Sequence, residues 1–425
     1  MEHFTLLIGI VIVTALVFDF TNGFHDTANA MATTISTGAM KPKAAVTMSA
    51  ILNLVGAFLS IEVATTISKG IIDETAGIQP EVIFAGLVGA ILWNLLTWLG
   101  GIPSSSSMAL IGGLIGATVA SVGIGAVDGD AVLSKILIPA FIAPVVAGLA
   151  AFLATRLTYR AARNADPEKT SRGYRTGQIT SAALVSLAHG TNDAQKTMGV
   201  MTLALISGGV IAGDADPPLW VIASAGIAIA LGTYLGGWRI IRTMGRGLTD
   251  IHPPQGFAAQ TSSAVTILAS SHLGFSLSTT QVCSGSVMGS GYGRKGGVVR
   301  WNTAYRMFAA WGLTIPAAGL VAALAALLAV QGDWGVTVVA VLFVAASGAI
   351  WAASRRAVVD HTNVNDDEPG PSAEPAGQGA GDAGDSGVMS AAVQAVSPPP
   401  VGAQRGDSQP DDDPNAAERR TPSAV

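Results

Sequence analysis

Apolar segments long enough to cross a bilayer recur along this chain from near its N-terminus to about residue 355. Of its 425 residues, 50% are hydrophobic and 12% are charged, whereas soluble domains carry about 25% charged residues. In lipid, every backbone polar group must be satisfied internally, and a helical crossing takes about 20 residues. The sequence therefore predicts an all-α polytopic membrane protein of about 10–12 membrane segments.

The predicted segments are interrupted in places by polar residues or Ser/Thr clusters. We place them at residues 5–38, 44–64, 82–100, 108–126, 132–157, 179–211, 219–240, 257–273, 279–292, 302–330 and 336–354. Polar interruptions inside apolar spans are typical of broken helices in transporters. The Ser/Thr clusters that precede 108–126 and 279–292 predict re-entrant hairpins rather than surface turns.

The loops between these segments alternate in charge. Basic side chains are Lys41, Lys43, Arg156, Arg160, Arg163, Lys169, Arg172, Arg175, Arg239, Arg242, Arg246, Arg294, Lys295, Arg300, Arg355 and Arg356. Acidic side chains are Asp73, Glu74, Asp128, Asp130, Asp214, Asp216 and Asp333. Because basic loops are retained in the cytoplasm, the N-terminus is expected outside the cell and the C-terminus inside.

This alternation gives the two halves of the chain opposite orientations. We predict a first membrane repeat at 1–157, a cytoplasmic linker loop at 158–178, a second, inverted membrane repeat at 179–357, and a cytoplasmic tail at 358–425. The tail is rich in Gly, Ala, Pro, Ser and Asp without an apolar period, a composition that predicts disorder.

Two polar motifs inside the apolar sequence resemble each other. They are Asn-Gly-Phe-His-Asp-Thr-Ala-Asn-Ala at 22–30 and His-Gly-Thr-Asn-Asp-Ala-Gln-Lys at 189–196. Their matched positions are Gly23 with Gly190, Asp26 with Asp193, and Asn29 with Lys196. A carboxylate in a membrane segment is costly and indicates function, and matched motifs in inverted repeats indicate a site near the bilayer midplane. The alternatives are a duplication kept for packing alone and an Asp193–Lys196 pair that is only structural.

A second pair of motifs is rich in hydroxyl groups. Gly-Ile-Pro-Ser-Ser-Ser-Ser at 101–107 matches Gly-Phe-Ser-Leu-Ser-Thr-Thr at 274–280. Each precedes an apolar segment, and Ser and Thr are favoured helix N-caps. A helix N-terminus binds anions, so two facing N-termini predict a site for a tetrahedral oxyanion. The alternative is that these hydroxyls only hold helices together.

The carboxylates Asp26 and Asp193 need a different role, because they repel an anion. Each can bind a coupling cation, H⁺ or Na⁺, or accept a hydrogen bond from a protonated phosphate oxygen. The neighbouring Asn22, Asn29, Asn192 and Gln195 offer oxygens to a cation or amide donors to an anion. His25 and His189 are candidates for proton coupling or for packing. Asp19, Glu62 and Arg306 are further charges without an evident partner.

Together these motifs resemble the inorganic phosphate transporter (PiT) family, and especially its bacterial low-affinity branch. The resemblance covers roughly residues 4–354. It implies phosphate import coupled to a cation in a dimer, and in the bacterial branch H⁺ symport, including transport of a neutral divalent metal–phosphate complex. The residues implied are Asp26, Asp193, Asn22 and Asn192 for the coupling ion, and Asn29, Ser105, Ser106, Ser107, Gln195, Lys196, Ser278, Thr279 and Thr280 for phosphate. The chain departs from the family pattern at Met108 and Gln281, where His is frequent, and at Gln260, where an acid is common.

We therefore predict a multi-pass transporter of the plasma membrane that imports phosphate by cation symport, with H⁺ favoured. A sulfate permease of the same family and an uncoupled anion channel are the alternatives. Because the sequence holds no Walker A loop, GxSxG elbow or HExxH motif, we do not expect an enzyme or ATP use. No cofactor is expected besides H⁺ or Na⁺, with Mg²⁺ or another divalent metal arriving only with substrate. The expected partners are phosphate, the cation, lipid and a second copy of the chain, but no nucleic acid.

Overall fold

A computed structural model describes residues 2–70, 79–164, 166–273 and 277–366. Throughout these residues the regular structure is helical, apart from an isolated bridge between Thr249 and Val299. The helices are α1 Glu2–Ser36, α2 Pro42–Gly56, α3 Glu62–Gly70, α4 Pro80–Leu99, α5 Ser106–Ser121, α6 Gly129–Ala131, α7 Ile138–Ala161, α8 Pro167–Ser207, α9 Leu219–Leu235, α10 Trp238–Arg242, α11 Pro253–His272, α12 Thr279–Gly293, α13 Trp301–Ala329 and α14 Asp333–Ser354. The predicted all-α class is confirmed.

Several of these helices are long and apolar enough to cross a membrane. Among the described residues there are five, namely Leu6–Ser36, Pro80–Leu99, Gly129–Ala161, Trp301–Ala329 and Asp333–Ser354. A sixth crossing results if Leu219–Leu235 and Trp238–Gly247 form one span, bent by 62°. The apolar stretch of α14 is only 11% buried within the protein, so most of its hydrophobic surface faces outward, as in a membrane-embedded helix.

The remaining predicted segments do not pass this test because they are polar or short. Helix α8 contains the motif at 189–196, and α5 and α12 are 16 and 15 residues long. These same helices carry the candidate site. The number of 10–12 membrane segments and the opposite orientation of the two halves therefore stay predictions.

Glycines let helices of the two halves approach closely in matching pairs. Gly23 of α1 meets Gly232 of α9, and a methyl group at Gly23 would collide with the carbonyl oxygen of Ile229. Gly190 of α8 meets α2, where a methyl group would collide with the Asn53 carbonyl. Each motif helix thus packs on the second helix of the opposite half, which holds Asp26 and Asp193 on facing elements.

The two short helices that follow the hydroxyl clusters are held in the same reciprocal way. In α5, Gly112 and Gly116 lie against Ile315 and Gly319 of α13. In α12, Gly285 lies against Pro144 and Gly289 lies against Gly148, and these two partners belong to α7. A long helix from each half therefore supports the short helix of the other.

The segment 158–178 is not the loop that the sequence predicted. Helix α7 continues to Ala161, and α8 begins at Pro167. Asp166 caps α8, its carboxylate accepting a hydrogen bond from the backbone of Glu168 at 3.0 Å. Asp, Pro and Glu in succession form a strong start signal for a helix, which the basic charge of this segment concealed.

Residues 358–366 are ordered, although the sequence predicted a disordered tail from residue 358 onward. Val364 is buried against the helices, and Arg242 donates a hydrogen bond to the Asn363 carbonyl at 2.5 Å. The prediction failed for 358–366 because these residues bind a basic helix end. The rest of the predicted tail, 367–425, lies outside the described residues, as do Asp73, Glu74 and the 274–276 part of the second hydroxyl motif.

Candidate functional site

The carboxylates of Asp26 and Asp193 meet at the start of α12. The Thr279 hydroxyl lies 3.3 Å from Asp26 Oδ2 and 3.1 Å from Asp193 Oδ2. All three side chains are at least 99% buried. A single hydroxyl thus links the two matched motifs in the interior of the protein.

Asp26 accepts hydrogen bonds from three helices. His25 Nδ1 lies 2.7 Å from Oδ1, Ser106 Oγ donates to Oδ2 at 3.0 Å, and Thr280 Oγ1 donates to Oδ1 at 3.3 Å. The hydroxyl groups come from the starts of α5 and α12. Both predicted hydroxyl clusters therefore reach the same carboxylate.

Asp193 contacts two basic side chains on its own helix. Lys196 forms an ion pair with Oδ1, and His189 Nε2 lies 3.0 Å from Oδ2. The Lys196 ammonium also donates to Ser107 Oγ at 2.5 Å and to the Leu277 carbonyl at 3.1 Å. Lys196 thus connects α8 to both hydroxyl-rich segments.

The two helix starts are capped as the sequence predicted. Ser105 Oγ accepts from the Met108 backbone at 3.2 Å, and Ser278 Oγ accepts from the Gln281 backbone at 3.3 Å. Ser105 and Ser278 hence serve their helices, whereas Ser106, Ser107, Thr279 and Thr280 point to the charged cluster. The partly positive N-termini of α5 and α12 converge on it.

Asn29 is the amide of this cluster. Its Nδ2 donates to Thr280 Oγ1 at 3.1 Å and lies 3.3 Å from Thr279 Oγ1.

The net charge of the cluster depends on its protons. The two carboxylates and the one ammonium sum to one negative charge when both histidines are neutral. One proton on a histidine or a carboxylate balances the cluster, so its charge is set by protonation.

Other predicted site residues lie elsewhere. Gln195 Oε1 accepts from the backbone N–H groups of Val63 and Ala64 at 2.8 and 3.2 Å, so it caps the start of α3 rather than joining the cluster. Asn192 Nδ2 donates to Ser271 at 3.1 Å. Asn22 is fully buried without a hydrogen-bond partner among the described residues.

Two groups of residues in the site were not predicted. Thr97 and Ser104 each lie 3.3 Å from His25 Nε2 and fix the ring that contacts Asp26. Asn53 Oδ1 lies 3.2 Å from His189 Nδ1, and its amide donates to Thr233 at 2.7 Å. Asn53 can be recognised in the sequence as a single amide side chain within the apolar residues 51–55.

Comparison with known proteins finds relatives that match most of this chain. Residues 22–322, which contain both Asp motifs and both hydroxyl clusters, match the phosphate transporter family. The chain is 57% identical over 367 residues to the probable low-affinity inorganic phosphate transporter of Mycobacterium bovis, covering 86% of this chain and 88% of that protein. The corresponding protein of Rhizobium meliloti is 43% identical over 325 residues, covering 76% and 96%.

This chain belongs to the phosphate transporter family. It is accordingly a multi-pass membrane protein and a transporter of phosphate, not an enzyme. Among solved structures, a sodium-dependent phosphate transporter superposes with a TM-score of 0.68 at 23% identity, over 75% of this chain and 98% of that chain. The similarity supports the fold.

The departures of this phosphate transporter from its family pattern are accommodated by contacts between neutral groups. Gln281 Nε2 lies 3.5 Å from the Met108 sulfur, so the two positions after the hydroxyl clusters touch each other. Gln260 donates to the Ala30 carbonyl at 2.8 Å and to Thr34 at 2.7 Å. A carboxylate at position 260 would be repelled by that carbonyl, which explains why an amide suits this site.

Proposed function

We propose that this transporter imports inorganic phosphate by symport with a cation, and that the cation is a proton. The observation that carries the proposal is the convergence of two capped, hydroxyl-rich helix starts on Asp26 and Asp193. The relatives described as low-affinity inorganic phosphate transporters support inorganic phosphate as the substrate. The predicted coupling role of Asp26 and Asp193, and the phosphate role of Asn29, Lys196 and the hydroxyl groups, are the substance of this proposal.

The donors of the cluster suit a tetrahedral oxyanion. Ser106, Thr279, Thr280 and Asn29 offer neutral donors, and Lys196 offers a charge-assisted one. In the structure three of these hydroxyls donate to carboxylates. A protonated carboxyl group is a weaker hydrogen-bond acceptor than a carboxylate. The hydroxyl groups can then donate their hydrogen bonds to phosphate instead. Proton binding and phosphate binding thereby favour each other, as linkage requires.

The carboxylates also discriminate between anions. Inorganic phosphate near neutral pH still carries a proton on one of its oxygens, because its third ionisation occurs only at strongly alkaline pH. That P–O–H group can donate to Asp26 or Asp193, whereas sulfate has no proton to donate near neutrality. The site therefore favours phosphate over sulfate.

Coupling is required by the membrane potential. Phosphate carries roughly 1.5–2 negative charges, and each charge moved against 100 mV costs about 2.3 kcal/mol. Inward movement of the bare anion thus costs about 3.5–4.6 kcal/mol. About two cotransported monovalent cations offset this cost. An uncoupled channel would not accumulate the anion.

A neutral divalent metal–phosphate complex is a second form of substrate that the site fits. Asp26, His189 and Asp193 each present one possible ligand atom, and these atoms lie within 4.8 Å of one another. Mg²⁺ that arrives with phosphate can be held by the two carboxylates of this group, because it prefers oxygen ligands. The divalent ion is then cargo and leaves with the anion.

The experiment is uptake of labelled phosphate into proteoliposomes with imposed H⁺ or Na⁺ gradients, with and without Mg²⁺. We expect an inward proton gradient to drive accumulation, a sodium gradient not to, and excess sulfate to compete weakly. Accumulation only with sodium would contradict the proton assignment. Equal competition by sulfate would contradict the selectivity, and uptake that never exceeds the equilibrium level would favour a channel.

A further inference from the structure

Asp19 is a buried carboxyl group that the site described above does not use. It lies seven residues before Asp26, about two helical turns away on the same face of α1. Its side chain is 0% exposed, and neither carboxylate oxygen has a hydrogen-bond partner among the described residues. This contrasts with Asp26 and Asp193, which are both held by cationic or hydroxyl donors.

The neighbours of Asp19 are polar side chains that make no short hydrogen bond within the described residues. Asn22 of α1 and Thr197 of α8 lie beside its carboxylate. Neither Asn22 Oδ1 nor Thr197 Oγ1 has a hydrogen-bond partner within the described part of the chain. Both neighbours can donate towards the carboxylate of Asp19, yet within the described residues none of the polar atoms of these three side chains has a hydrogen-bond partner within 3.5 Å. Oxygen atoms of a carboxylate, an amide and a hydroxyl therefore lie near one another without short hydrogen bonds. Oxygen groups of this type are the ligands of hard cations.

The charged groups that act on Asp19 come from α8. They are Asp193 and His189. The negative charge of Asp193 repels a negative charge on Asp19, whereas His189 attracts it when protonated. Helix α4, which also packs on α1, carries a single charged residue, Glu81 in its first turn, and α9 carries only Tyr234 as a titratable side chain, which is exposed. No cationic side chain of α4 or α9 neutralises Asp19.

An ionised carboxylate buried without a partner is costly. The cost disappears when a proton binds to it or a small cation joins it. Asp193 already has Lys196, and Asp26 has His25, so an incoming cation gains less there. We propose that Asp19, with Asn22 and Thr197, forms the binding site for a cotransported monovalent cation, a site separate from the phosphate cluster.

The position of Asp19 connects this site to the phosphate cluster through both motif helices. Asn22 lies one turn from Asp26 on α1, and Thr197 directly follows Lys196 on α8. A charge on Asp19 repels Asp193, and a bound cation cancels that repulsion. Cation binding at Asp19 therefore stabilises the arrangement that holds phosphate, and phosphate favours the cation in return. This inference rests on the proposed function, in which about two cations accompany the anion.

The test compares Asp19→Asn with wild type in proteoliposomes under an imposed potential of about 100 mV. One assay measures phosphate exchange with equal phosphate on both sides, and the other measures accumulation driven by a proton or a sodium gradient. Asp19→Asn mimics a permanently neutral site, so we expect exchange near the wild-type rate. Its accumulation ratio should fall about 50-fold, the factor for one coupling charge at 100 mV.

Two further variants control the result. Asp19→Glu keeps the carboxyl group and should recover part of the accumulation. Asp250→Asn changes an exposed carboxylate paired with Arg300 and should match wild type. The gradient, H⁺ or Na⁺, whose contribution to accumulation is smaller in Asp19→Asn than in the wild type identifies the cation that binds at Asp19.

Two outcomes would overturn the Asp19 site. One is wild-type accumulation by Asp19→Asn. The other is loss of exchange as well as accumulation in both Asp19→Asn and Asp19→Glu, which would assign Asp19 to the fold or to phosphate binding. Failure of wild-type vesicles to transport phosphate at all would instead contradict the proposed function.

Discussion

At the scale of single residues, the two matched carboxylates have different surroundings. Asp193 is paired with Lys196, whereas Asp26 is held mainly by hydroxyl groups and His25. Breaking a buried ion pair by removing one partner costs about 3–5 kcal/mol, because the other charge stays buried and unpaired. The same Asp→Asn change should therefore affect the two positions unequally.

We expect Asp193→Asn to lower the thermal stability of the purified protein more than Asp26→Asn does. The double variant Asp193→Asn, Lys196→Gln removes both charges and should regain stability without regaining transport. Thermal denaturation in detergent, followed by tryptophan fluorescence, measures the difference. Equal melting temperatures for the two single variants would show that the Lys196 pair contributes no net stability.

Adjacent serines at the start of α5 offer a second residue-scale test. Ser106 donates to Asp26, while Ser105 caps the helix. Ser106→Ala should raise the KM for phosphate several-fold, whereas Ser105→Ala should mainly cost about 1 kcal/mol of stability, as loss of an N-cap does. Uptake kinetics and melting temperatures measured on both variants separate the two roles, and a reversed pattern would contradict them.

At the scale of helices, the close crossings depend on glycine. Gly23 of α1 lies against α9, and a side chain there would meet backbone atoms that cannot move aside. Gly9 on the same helix has open space around it. We expect Gly23→Val to reduce the yield of monodisperse protein sharply, and Gly9→Val to leave it unchanged, as measured by fluorescence-detected size-exclusion chromatography. A well-folded Gly23→Val would contradict the packing.

From the sequence, the positions and starts of the helices could be predicted better than the pairs of helices that pack together. Apolar length predicted the long helices, and the Ser/Thr clusters predicted the caps at Ser105 and Ser278. The reciprocal packing of α13 on α5 and of α7 on α12 depends on contacts between residues far apart in sequence, which no local pattern contains. Gln195 was misplaced for the same reason, since its partner is the start of α3.

At the scale of the whole molecule, the chain that follows α14 is held against the helices by contacts with α10. Arg239 donates to the Ser354 carbonyl at 2.8 Å, and Asn363 accepts from Arg242. Removal of 367–425, which the sequence predicts to be disordered, should leave phosphate uptake unchanged. Removal from residue 355 onward should lower the melting temperature, because it exposes the surface that Val364 covers. Equal stability of the two truncations would contradict this role.

The homodimer expected from the family resemblance stays a prediction for the assembled molecule. Much of the outward surface is apolar, including Val341 and Val344 on α14, and lipid or a second copy can cover it. Mass measurement of the detergent-solubilised protein by light scattering distinguishes one copy from two. A single copy under conditions that preserve transport would contradict the dimer.

The central claim is that Asp26 and Asp193, joined through Thr279, couple phosphate entry to a cation. The most direct measurement is the accumulation of labelled phosphate by proteoliposomes containing wild type or Asp26→Asn under the same inward proton gradient and membrane potential. We predict that the wild type concentrates phosphate and that Asp26→Asn never exceeds the equilibrium level. Accumulation by Asp26→Asn to the wild-type level would contradict the account.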